Sequence, residues 1–184
     1  MTQAIPPTRK GSRTKPILLA ASSAVALVAA VVMMIWTTRC PCETTPGFIL
    51  FGDVQHAPVT DWTFANDVPF CQIQVSAYGL PHAINLNCFA TPEGHLYLSC
   101  SVCARKFWAA HVGSNEHAWL RLNDRVYSVI LNRVTDPALM DQVWEARVNK
   151  VMVYGGQPYN PKPKPGARRP DTWWTFRVTS ASGS

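Results

Sequence analysis

The chain has 184 residues, 47% of them apolar, and a formal net charge of +6. That length accommodates one ordinary domain plus an anchor and excludes two independent cores, while the apolar content and seven Trp exclude global disorder. The charge invites a nucleic-acid reading that its placement removes: from residue 47 onward 12 basic residues meet 10 acidic ones, a net of +2.

Residues 1–16 form a basic N-terminus carrying Arg9, Lys10, Arg13 and Lys15. Residues 17–36 then run for twenty positions without a charge. At 1.5 Å per residue they match the roughly 30 Å hydrocarbon core, so one transmembrane helix is expected, with Trp36 at its interfacial end. A cleaved signal peptide has a shorter apolar region and a small-x-small site, whereas Thr37-Thr38-Arg39-Cys40 follows here. Four cations precede the helix and only Arg39 closely follows it, which places the N-terminus in the cytoplasm. The expectation is a single-pass protein of the inner, or cytoplasmic, membrane, with its domain on the periplasmic or extracytoplasmic side. Six Cys fit that oxidising compartment.

Residues 37–47 read as a tether and residues 48–184 as one domain. The order of residues 48–69 is hard to read from their aromatic and Pro-broken text. Cys71, Ile73 and Val75 alternate with polar residues, as do Ile84, Leu86 and Cys88, and Pro92-Glu93-Gly94 turns the chain into Leu96, Leu98 and Cys100. A second pair, 118–122 and 125–134, is joined through Asn123-Asp124. Asp136-Pro137 begins a helix, in which Leu139, Met140, Val143, Trp144, Val148 and Val151 recur at helical spacing through about Lys150. A Pro-rich basic loop follows Gly155-Gly156, its Lys162, Lys164, Arg168 and Arg169 reading as solvated, and residues 173–179 form a last strand.

No GxSxG, P-loop, GxGxxG or HExxH motif is present, which leaves hydrolase, nucleotide triphosphatase and metalloprotease readings without support. Cys100-Ser101-Val102-Cys103 has redox spacing but sits among antiparallel strands, so buried thiols or a structural disulfide are favoured over a thioredoxin-like site. Zinc would need Cys40 and Cys42 or His82, His95, His111 and His117, whose spacings match no common pattern, and no metal site is expected. Asp53, Asp61 and Asp67 read as turn and cap residues. Trp108, Tyr97 and Trp119 read first as core aromatics, although each ring is suited to stacking on a planar ligand.

From His82 to Trp144 the order is strand, turn, strand, Ser/Cys-rich bend, basic residues, strand, hairpin, strand, helix. Here the sequence resembles the split-barrel family of pyridoxamine 5′-phosphate oxidase-like and deazaflavin-dependent reductase-like proteins. The resemblance implies a mainly β (α+β) split β-barrel with one amphipathic helix, preceded here by the transmembrane helix. In that family a Thr/Ser-containing bend followed by Arg-Lys binds the flavin phosphate, which carries over to Ser99, Ser101, Arg105 and Lys106. Hydroxyls, a guanidinium and an ammonium are suitable donors to a phosphate. Asn87 and Trp108 complete the implied FMN or deazaflavin site. His82 and Asn87 stand where the oxidases carry Arg and Lys, and Ala104 where they carry a phosphate-site Ser, so a pyridoxine-phosphate substrate site is not expected.

The function that follows is a membrane-anchored, flavin- or deazaflavin-binding oxidoreductase-like protein acting on a small molecule. The resemblance also implies a homodimer with its cofactor cleft at the subunit interface. The rival expectation is a non-catalytic envelope protein using the same barrel for binding or scaffolding.

Overall fold

The computed structural model describes residues 14–38, 41, 44–156, 160–164 and 166–181, with side chains described from residue 21 onward. The basic segment 1–13, Cys40 and Cys42 lie outside the described residues. The chain divides into two compact units, residues 1–36 and 37–184.

The first unit is helical. Helix α1, Thr14–Thr38, covers 25 residues and contains the whole of the expected 17–36 span. Within it, residues 21–38 have a mean hydropathy of 1.9, and none of that stretch is buried in the protein. Val25, Leu27, Val28, Met34 and Ile35 are exposed. The helix is thus long and apolar enough to cross a bilayer.

The second unit is a closed six-stranded antiparallel barrel with a few helices. Its strands are β2 (Cys71–Ala77), β3 (Leu80–Ala90), β4 (Leu96–Cys100), β5 (Glu116–Leu122), β6 (Arg125–Val134) and β7 (Trp174–Ser180). They run in the order β6-β5-β2-β3-β4-β7, and β7 pairs back onto β6 to close the wall. A short strand β1 (Asp53–Gln55) adds in parallel to β6. Residues 63–67, within the segment whose order the sequence left open, form a 3-10 helix.

The split-barrel expectation is met, and the split has a definite place. Residues 80–86 of β3 pair with β2, whereas residues 87–90 pair with β4. Where β3 leaves β2, the 63–67 helix fills the gap: Asn66 Nδ2 donates to the Ala90 carbonyl at 2.9 Å, and its Oδ1 accepts from the Ala90 amide at 2.9 Å. One side-chain amide therefore satisfies both backbone groups that a neighbouring strand would have satisfied. The β2–β3 hairpin turns through Tyr78 and Gly79, both at positive φ (52° and 77°), a backbone suited to a two-residue hairpin loop.

The expected alternation holds on the inner face, where Cys71, Ile73, Val75, Leu86, Cys88, Leu96, Leu98 and Phe176 share one core. The other face of β3 and β4 is not solvated as simple alternation implies, since Phe89 and Tyr97 form a second buried cluster with Val143. The cause is helix α3, Pro137–Tyr154, which covers that face. Asp136 caps it by accepting from Ala138 N at 3.0 Å, with Pro137 at its first position, as expected. The helix runs one turn beyond Lys150, and its buried residues are Val143, Arg147, Lys150 and Val151. The periodicity anticipated an apolar stripe, but two of the four inward positions are cations. Cys100 and Cys103 form a disulfide, with Val102 between them in the left-handed region (φ 49°).

Candidate functional site

The short helix α2, Phe107–Ala110, turns Trp108 and Ala109 inward. Trp108 is 5% exposed and packs 5.1 Å from Phe176, so it belongs to the core and offers no open ring face. Its neighbour Phe107 faces out at 51% exposure and gathers a ring cluster. Ring centroids separate Phe107 from His111 by 4.5 Å and from His82 by 5.1 Å, and Tyr78, 84% exposed, lies 4.6 Å from His111. His111 is held in place through its Nδ1, 2.7 Å from the Phe107 carbonyl. Partial burial, then the neighbouring His111, hold the His82 pKa below the ordinary imidazole value.

Arg105 and Lys106 adjoin this cluster in sequence, being the end of a 3-10 turn (Cys103–Arg105) and the N-cap of α2. Both are exposed, and among the described residues neither makes a side-chain hydrogen bond or ion pair. Ser101 is half-buried in the turn closed by the disulfide. Two available cations therefore directly precede the exposed ring of Phe107 in the chain.

Ser99 and Asn87 lie elsewhere, in a polar seam beneath α3. They are register partners across β3 and β4, and Thr175 of β7 is the next partner of Ser99. Ser99 Oγ accepts from Arg147 Nε at 3.1 Å, and Asn87 exchanges amide hydrogen bonds with Asn160 at 3.0 and 3.1 Å. The carbon centre of the Arg147 guanidinium lies 4.0 Å from the Trp173 ring and 4.7 Å from that of Trp144. Desolvation lowers the Arg147 pKa to about 10, which leaves it a cation at neutral pH. The six residues carried over by resemblance are thus divided: Arg105 and Lys106 exposed just before α2, Ser101 in the turn, Asn87 and Ser99 in the seam, Trp108 in the core.

Lys150 was not singled out by sequence. Its Nζ donates to the Ala65 carbonyl at 2.5 Å and lies 3.7 Å from Cys88 Sγ, both deep in the protein. Burial raises the Cys71 thiol pKa far above the ordinary value, and its interaction with Cys88 adds to this. In Cys88 burial acts in the same upward sense, but the Cys71 hydrogen bond and the Lys150 charge outweigh it and favour the thiolate. Trp119 occupies a third location, an open cleft of about 360 Å³ shared with His56, His117 and Tyr127. It makes no ring contact with the Phe107 cluster. Asp61 acts as a turn residue, its Oδ1 accepting from Thr63 N at 2.9 Å.

No family model and no curated protein matches the chain. Among solved structures it is similar to "conserved hypothetical protein Rv2991" from Mycobacterium tuberculosis, at 12% identity over 64% of this chain and 76% of that one, with a TM-score of 0.43. It is also similar to "the FAD binding protein from Mycobacterium smegmatis", at 12% identity over 67% of this chain and 92% of that one, with a TM-score of 0.38. The fold is that of a closed, split six-stranded barrel.

Proposed function

We propose that the chain is a single-pass membrane protein whose extracytoplasmic split barrel binds a flavin or deazaflavin on the face carrying Arg105, Lys106, Phe107, Tyr78, His82 and His111. The observation that carries this reading is the pair of free, exposed cations directly preceding an exposed ring. A guanidinium and an ammonium suit a phosphate, and the ring cluster suits a planar heterocycle. Such a ligand supplies hydride transfer when bound, while Arg105 and Lys106 hold its charged end and Phe107 shields one side from water. An exposed face of this kind fits a site completed by a second copy of the chain, in keeping with the homodimer implied by resemblance.

Two features support the membrane placement: the length and apolarity of α1, and a disulfide that persists in an oxidising compartment. The test is an absorbance titration of the full chain in detergent with FMN or a deazaflavin. Saturable binding that is abolished by replacing Arg105 and Lys106 with Ala is the expected result; absence of binding to the folded protein would sink the reading.

The rival reading, a non-catalytic envelope module, draws on the seam. Ser99 and Asn87 spend their side chains on Arg147 and Asn160, so two residues implied as ligand contacts serve internal structure instead. A folded protein that binds no flavin and co-purifies with an envelope partner is its expected signature.

A further inference from the structure

Arg147 is 4% exposed, on the inward face of α3. Its one hydrogen bond runs from Nε to the neutral hydroxyl of Ser99, and the sole ion pair among the described residues is Arg169–Asp141. The buried guanidinium therefore has no carboxylate partner. Its two terminal nitrogens, Nη1 and Nη2, have no hydrogen-bond partner either. Thr91 Oγ1 is the only fully enclosed side-chain polar atom left unpartnered among the described residues. Both Nη atoms thus retain contact with solvent. The guanidinium lies against the rings of Trp173 and Trp144, 4.0 and 4.7 Å from their centroids.

We propose that the free Nη edge of Arg147 is a binding site for a phosphate-type oxyanion. A buried charge without a counter-charge is costly, and the low local dielectric that makes it so strengthens its attraction for an entering anion. A guanidinium with both terminal nitrogens free offers the two-pronged geometry that suits phosphate. The seam residues that accompany Arg147 are neutral and polar: Ser99, Thr175, Asn87 and Asn160. A tetrahedral oxyanion has acceptors for the guanidinium fork and for neighbouring hydroxyls at once. This site does not depend on the flavin reading, because Arg105 and Lys106 take no part in it.

The experiment is a phosphate titration of the full chain in detergent against sodium chloride at matched ionic strength. Tryptophan fluorescence and melting temperature are the readouts, since two indoles flank the cation. The expected result is a saturable fluorescence change and a rise in melting temperature with phosphate alone. Arg147→Lys, which keeps the charge and loses the fork, weakens phosphate about tenfold. A second measurement needs no variant: phosphate protects Arg147 from phenylglyoxal, read by peptide mass. Given protection by phosphate, tighter protection by FMN but none by riboflavin assigns the oxyanion to a cofactor phosphate, and protection by inorganic phosphate that FMN does not improve assigns it to the free ion. Equal labelling of Arg147 with and without saturating phosphate, or a titration indistinguishable from chloride, overturns the proposal. Failure of flavin to bind leaves phosphate protection of Arg147 unchanged, so the two readings fail separately.

Discussion

Two pairs of cations divide this barrel. Arg105 and Lys106 stand in solvent beside exposed rings, whereas Arg147 and Lys150 are turned inward by α3. The same side-chain chemistry has opposite physical meaning in the two places. In water a charge costs little and is worth little until a ligand arrives. Under the helix each charge has lost most of its hydration and leans on the acceptors within reach: Ser99 for the Nε of Arg147, and the Ala65 carbonyl with Cys88 for Lys150. Composition counts all four alike, and only the covering helix separates them.

That contrast can be broken most directly at Lys150. Lys150→Ala leaves the Ala65 carbonyl unsatisfied and opens a cavity, with an expected loss of about 2–4 kcal/mol by chemical denaturation. An effect under about 0.5 kcal/mol, the size typical of a surface change, would place Lys150 among the exposed cations. Replacing both Cys100 and Cys103 with Ser is expected to cost about 2 kcal/mol, because the closed loop is short. Ser99→Ala removes the one acceptor of Arg147 and is expected to cost about 1–2 kcal/mol. Arg105→Ala with Lys106→Ala is the counterpart: stability within about 0.5 kcal/mol of the parent, with the effect confined to ligand binding.

The smallest expected effect concerns His82. Its folded-state pKa lies below the ordinary 6.5, so the unfolded chain takes up the proton first as pH falls. The associated stability is present above that ordinary value and is lost as pH drops through the lower, folded-state value. His82→Gln should flatten the pH dependence of stability in that window, and an unchanged profile would show that burial and His111 exert no net effect there.

The sequence made much of the barrel legible because period-two alternation marks any strand with one face in a core. Cys71, Ile73 and Val75, and later Leu96 and Leu98, announce themselves this way, and the Asp136-Pro137 cap fixes the start of α3. The outer face of β3 and β4 was not legible. Phe89, Tyr97 and Ser99 are buried by a helix that begins only at Pro137, and no local pattern reports a long-range cover. The same cause hid Arg147 and Lys150, since a cation on a helix reads as solvated until a sheet is known to lie beneath it. Arg105 and Lys106 were singled out only through family resemblance. Tyr78 and His82 come from the β2–β3 hairpin and Phe107 and His111 from α2 and its C-cap, and no local spacing reports that the two pairs meet.

The barrel wall has one stretch where continuity depends on a single carboxamide. At Ala90 the amide and carbonyl are held by Asn66, a side chain with rotational freedom that a paired backbone lacks. Breathing of the wall should therefore begin there, as a local opening of the 63–67 turn that leaves the remaining ladders intact. In a deuterium-exchange experiment the Ala90 amide would lose protection ahead of its neighbours in β4. Because Lys150 ties the Ala65 carbonyl, next to Asn66, to the Cys88 sulfur, the same opening would also loosen the cover over that thiol.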